Sequence, residues 1–225
     1  MNLLSIETAT DACSCALSYD GDTHLMFEHA PRRHAELILG MVDELLERVG
    51  ADLSTLAGIA FGRGPGSFTG VRLATGVAQG LAYGADLPVA PVSTLAALAQ
   101  GAFRRGDGRR ALIALDARMS EVYWGVFESD PEGLARPVID EQVADPARVE
   151  QVPMGDLDIA LGEGWQVHAQ ALSERLGFAP SVDQSNLYPE AVDVLRLGQD
   201  ILTRGHGVEP HQALPVYLRD RVTSA

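Results

Sequence analysis

Apolar and polar positions change period several times along this chain, and each change marks an element. Residues 2–8 form a short apolar run read as a buried strand, and 12–19 (ACSCALSY) reads as its hairpin partner. Asp20, Gly21 and Asp22 turn the chain toward a third strand near 24–29. A helical period follows over 33–49, ended by Gly50, with apolar residues spread over an arc of about 200°, against little more than 100° for a helix packed on one core. That excess predicts burial on two sides, against a second domain of the chain or against another protein.

The next strand is expected at 57–61. The stretch after it, GRGPGSFTGVRLATGVAQGLAYG over 62–84, joins a glycine-proline loop to a helix whose first plausible N-cap is Ser67. Gly70, Ala74 and Ala78 form one small-residue row on that helix, and Gly76, Gly80 and Gly84 another on roughly the opposite side. Arg72, Thr75 and Gln79 lie between them. A helical glycine costs about 1 kcal/mol against alanine, so two such rows predict close approach on both sides. The approach is to a sheet and a neighbouring element, or on one side to a partner protein.

A strand at 88–92 and a helix at 95–103 come next. The polar run Arg104–Arg110 is read as a domain boundary, dividing 1–103 from 104–225. Beyond it, 112–126 (LIALDARMSEVYWGV) repeats the pattern of 3–17 (LLSIETATDACSCAL) at an offset of 109, each an apolar strand ending in an acid, Glu7 or Asp116, then a turn and a second strand. Residues 129–152 read as acidic and proline-rich. A strand at 157–161, a turn at Gly162 and Gly164, a helix at 168–176, a last helix at 189–204 and an extended tail at 215–219 complete the chain. The last helix and tail are expected to pack back on the first domain.

Composition narrows the chemistry. The chain has 225 residues, a net charge of −14 and no lysine among its seventeen basic residues. Walker-type ATPases are excluded, because their loop ends in Gly-Lys-Ser/Thr. So acidic a chain lacks the basic footprint of a self-sufficient nucleic-acid binder. The start of the chain is not read as a signal peptide, and no apolar run reaches the ~20 residues of a membrane span. Cys13 and Cys15 are expected to be reduced, structural thiols in a cytoplasmic protein.

Ile6-Glu-Thr-Ala-Thr-Asp11, Gly64-Pro-Gly-Ser-Phe-Thr-Gly-Val-Arg72 and Pro215-Val-Tyr-Leu-Arg219 carry a resemblance over most of the chain. On them the protein resembles the TsaB (YeaZ) family of bacterial tRNA threonylcarbamoyladenosine biosynthesis proteins. The resemblance implies an α/β fold of the actin/Hsp70/sugar-kinase (ASKHA) type, with two related domains. It implies work in a complex that modifies N6 of adenosine 37 in tRNAs reading codons that begin with A. The implied partners are a catalytic paralogue, TsaD, forming a heterodimer, and the ATPase TsaE; tRNA is met only through the complex. ATP and a metal belong to those partner subunits, and no cofactor is expected on this chain. TsaD carries a metal-binding His-x-x-x-His pair at positions that fall here on Thr94 and Leu98, neither of which replaces an imidazole.

The chain is therefore expected to be a non-catalytic scaffold. Its predicted partner face pairs Leu39 and Leu46 on the first helix with Arg72, Thr75 and Gln79 on the second, leaving Leu37 and Met41 to the core. The same face could close a homodimer when the partner is absent. Gly64, Gly66 and Ser67 are read as a vestigial phosphate loop. The alternative is an active phosphotransferase or ATPase using Glu7, Asp116 and the loop 64–67. A third reading, a metal-dependent protease, requires bound iron or zinc.

Overall fold

The computed structural model describes residues 1–151, 158–177 and 188–219. Its contacts divide the chain into two compact units, Met1–Ala97 with Tyr188–Val216, and Leu98–Leu187 with Tyr217–Ala225.

The first unit is built on a five-stranded sheet ordered β3-β2-β1-β4-β5. Its strands are β1 (Leu3–Glu7), β2 (Ala12–Tyr19), β3 (Asp22–His29), β4 (Ile59–Gly62) and β5 (Val89–Val92). β1 pairs antiparallel with β2, Glu7 opposite Ser14, and parallel with β4. Helices α1 (His34–Val49) and α2 (Phe68–Ala85) pack with Leu4, Ile6, Ile59 and Phe61 in one core. α5 (Ala191–Thr203) packs on β1, β4 and β2 from the other face, where Ser5 and Ser14 bond the backbone of Ala191. Gly198 permits this approach, since a Cβ there would overlap that of Ala60. Coverage on both faces is why β1 is buried along its whole length, Ser5 and Glu7 included. β3, at the edge, alternates between half-buried and exposed.

The second unit repeats the arrangement as a four-stranded sheet, β8-β7-β6-β9. β6 (Arg110–Asp116) pairs antiparallel with β7 (Val122–Ser129) and parallel with β9 (Ile159–Leu161), as β1 does with β2 and β4. This is the ASKHA architecture.

Three differences from the sequence reading have physical causes. The region 129–152 contains a ten-residue strand, β8 (Ala135–Ala144), at the sheet edge. Pro137 is tolerated there, next to a register shift at Phe127, because an edge strand need not donate every N–H. α4 (Glu163–Leu176) starts earlier than expected and kinks at His168. The unit boundary falls inside α3 (Thr94–Arg105), not after Phe103. Gln100 binds Gly133 and Ala135 through its amide, tying the second half of that helix to the second unit. The first residue of the strand expected at 157–161, Leu157, lies outside the described residues.

Candidate functional site

Small residues bring the end of β1 against the loop before α2. Gly66 and Gly70 lie so close to the β1–β2 turn that a Cβ on either would overlap the carbonyl of Ala9 or Thr8. The Ser67 N–H donates to the Ala9 carbonyl at 2.7 Å, and the Thr8 hydroxyl to the Gly70 carbonyl at 2.7 Å. Ser67 is the N-cap of α2, its hydroxyl accepting from the Gly70 N–H. Thr94 N–H donates to the Gly64 carbonyl, which anchors the loop to the start of α3. Gly64, Gly66 and Ser67 thus pack against protein backbone.

Glu7 sits at the centre of this packing and is fully buried. Its carboxylate accepts from the Ala9 N–H at 2.6 Å and the Thr94 hydroxyl at 3.1 Å. A Cβ at Gly62 would overlap it. Burial pushes the Glu7 carboxyl up to about 7, against the lowering effect of the Ala9, Thr94 and Thr8 donors. Thr94 and Leu98, where the resemblance places the paralogue's histidines, are both buried, and Thr94 donates to Glu7.

The equivalent turn of the second unit is built differently. Arg118, Met119 and Ser120 all have left-handed backbones. Asp116 accepts from the Arg118 N–H, pairs with the Arg118 guanidinium at 3.0 Å and lies 3.5 Å from His168 Nε2. Arg219 donates to the carbonyls of Ala117 and Arg118 and pairs with Glu121.

A third feature is the outer face of α1 and α2. The row Gly70, Ala74, Ala78 is buried against the sheet, whereas Gly76, Gly80 and Gly84 face open space with nothing within 4 Å of a built Cβ. Gly40 on α1 is equally open, beside Leu39, which is 51% exposed. Phe68 and Tyr83 are exposed at 53% and 82%, and the Arg72 guanidinium stacks over the Phe68 ring at 3.5 Å.

Of the interface residues expected from sequence, Leu39 and Arg72 are on this face. Thr75 is a correction: it is buried, and its hydroxyl bonds the Val71 carbonyl. Leu46 is half-buried against the core cluster together with Leu37 and Val49, so most of the wide apolar arc of α1 is used inside the unit. Gln79 is half-buried and donates to the Ala213 carbonyl. Sequence reasoning missed Gly40, Phe68 and Tyr83. The four-residue spacing of Phe68 and Arg72 was the available signal for the first.

Comparison with known proteins decides the family. Residues 26–203 match the model of the family described as TsaD, tRNA N6-adenosine threonylcarbamoyltransferase. A protein named tRNA threonylcarbamoyladenosine biosynthesis protein TsaB from Escherichia coli is 43% identical, over 99% of this chain and 96% of the relative. The chain belongs to the TsaB family. A TsaB from Haemophilus influenzae is 39% identical over 99% of this chain and 95% of the relative. The solved structure of YeaZ from Pseudomonas aeruginosa, 45% identical, covers 96% of this chain and 99% of its own, with a TM-score of 0.87. Another solved structure with 45% identity is described only as similar to the peptidase YeaZ.

Proposed function

We propose that this chain serves tRNA threonylcarbamoyladenosine biosynthesis as a non-catalytic subunit, which pairs with the catalytic paralogue TsaD through the outer face of α1 and α2. The observation that carries the pairing is the open glycine row. Gly76, Gly80 and Gly84 weaken α2 by about 1 kcal/mol each relative to alanine, and a Cβ at any of them would meet nothing among the described residues outside the helix itself. A helix of a partner approaching backbone to backbone gives such a row a use, with Leu39, Phe68 and Tyr83 as apolar contacts around it. A second copy could use the same face when TsaD is absent.

The non-catalytic part of the reading rests on the two turns. A phosphate site at the β1–β2 turn needs free backbone N–H groups and room. Here the Ser67 N–H is spent on Ala9, and Gly66 and Gly70 are filled by turn backbone. Glu7 is enclosed, and Asp116 is engaged by the Arg118 N–H and guanidinium, which weighs against the phosphotransferase reading. ATP, through TsaE, and the metal then belong to the partner subunits, and tRNA is met within the complex.

The test replaces Leu39 with glutamate and Gly80 with leucine in separate variants. Both positions face solvent in the free chain, so folding is retained. Burying the new carboxylate at the interface costs several kcal/mol, enough to disrupt a micromolar complex of about 8 kcal/mol. Both variants are expected to elute apart from TsaD and to fail to support adenosine 37 modification in a reconstituted reaction. Full co-elution and modification by both would refute the interface.

A further inference from the structure

Of the edge strands of the two sheets, β3, β5, β8 and β9, all but β3 are guarded against further pairing. β5 contains Pro91, and its Val89 is bridged to Val208. β9 is three residues long, and β8 carries Pro137 beside a register shift. Short length, proline and irregular register are the usual protections of a sheet edge. β3 has none of them. It runs for eight residues without proline and pairs with β2 without a register shift. Its other side pairs with nothing among the described residues.

The turn before β3 fixes which of its backbone groups face outward. Asp20 and Gly21 form a two-residue turn with left-handed backbones, so Tyr19 and Asp22 face each other as a hydrogen-bonded pair. By alternation, Asp22, His24, Met26 and Glu28 turn their N–H and C=O groups toward β2, and the Ala30 N–H, bonded to the Asp11 carbonyl, keeps that order. Thr23, Leu25, Phe27 and His29 turn theirs outward. Leu25 and Phe27 also expose their side chains, at 37% and 44%. Both stand on the α5 side of the sheet, since Phe27 is opposite Ser14, whose hydroxyl bonds the start of α5.

We propose that β3 pairs antiparallel with β3 of a second copy of this chain, about a two-fold axis at Met26, so that the two five-stranded sheets become continuous. Only registers that bring outward groups together can form the ladder, and the one centred on Met26 is complementary along its length. Leu25 meets Phe27 on both sides of the axis, making one apolar cluster on the α5 face. On the other face His24 meets Glu28 twice, flanking Met26 against its own copy. Thr23 meets His29, and every outward N–H and C=O over 23–29 gains a partner. Centring on Leu25 instead sets Asp22 against Glu28, and centring on Phe27 leaves Thr23 outside the ladder. The strand is thus complementary to itself in sequence as well as open at its edge. This contact uses the β3 edge, not the outer face of α1 and α2, and it does not depend on TsaD.

The test uses the full chain carrying Leu39→Glu, which closes the α1–α2 face to self-association and leaves β3 untouched. Sedimentation velocity should still show this chain dimerising. Adding Leu25→Lys and Phe27→Lys sets like charges opposite each other on both sides of the axis, and should raise the dimer dissociation constant at least about thirtyfold. The register has its own test. On the same background, His24→Glu alone or Glu28→Lys alone places like charges across the pair and should weaken self-association about fivefold. Mixing the two variants sets each new charge against an opposite one, so the mixed dimer should recover to within about twofold of the Leu39→Glu parent. Circular dichroism checks that every variant is folded, and the mixing experiment decides the matter if the double lysine variant is not. A Leu39→Glu chain that stays monomeric to about 0.1 mM would overturn the proposal, since a dimer that weak has no use of the edge. So would a dimer unchanged by Leu25→Lys with Phe27→Lys, or the absence of recovery on mixing.

Discussion

The two sheet-head turns occupy the same place in repeated topologies and are held by opposite kinds of contact. At the β1–β2 turn, glycines let backbone lie on backbone, and the buried acid Glu7 meets only neutral donors. At the β6–β7 turn, three left-handed residues are held by charge: Arg219 grips two carbonyls and Glu121, while Asp116 pairs with Arg118. The repeat has kept the backbone path and exchanged the means of fixing it. An acid at the end of the first strand of each unit is thus no evidence of shared chemistry.

The largest effect is expected where backbone packing leaves no slack. Gly70→Ala should destabilise the first unit by ~3 kcal/mol or more, because its Cβ would meet the Thr8 carbonyl, which belongs to a turn that cannot retreat. Denaturant titration measures it, and a loss under 1 kcal/mol would mean that the turn is softer than its packing indicates. A smaller effect is expected at the other turn. Arg219→Ala removes charge-assisted bonds to Ala117, Arg118 and Glu121, at a cost of ~1–3 kcal/mol. Its signature is faster amide exchange confined to 117–121, and Arg219→Lys should restore only part of the protection, since an ammonium lacks the planar fork. Unchanged exchange there would leave the turn holding itself.

Much of this was legible in the sequence, for identifiable reasons. The strands 2–8 and 12–19 stood out because helices cover both faces of β1, and the offset of 109 between Glu7 and Asp116 matches the observed equivalence of β1 and β6. Ser67 announced the start of α2, and Gly50, with φ 66°, the end of α1. β8 stayed hidden because an exposed edge strand carries little apolar period and Pro137 argues against it. The partner face was only half legible. An apolar arc on α1 cannot distinguish Leu46, which leans on the core, from Leu39, which faces out. Thr75 and Gln79 share a helical face with Arg72 in a wheel projection, but only contacts with Val71 and Ala213 reveal that they are already engaged. The bond between Thr94 and Glu7 joins positions far apart in sequence, and no local pattern encodes it.

The central claim is that the exposed glycine row of α2 is kept for a partner at the expense of helix stability. The direct measurement is the double variant Gly76→Ala, Gly80→Ala, followed by melting of the free chain and titration calorimetry against TsaD. Each alanine should raise helix stability by up to ~1 kcal/mol, since nothing among the described residues opposes its methyl group. The account predicts a higher melting midpoint together with affinity for TsaD at least tenfold weaker, about 1.4 kcal/mol. A higher midpoint with unchanged affinity would contradict it.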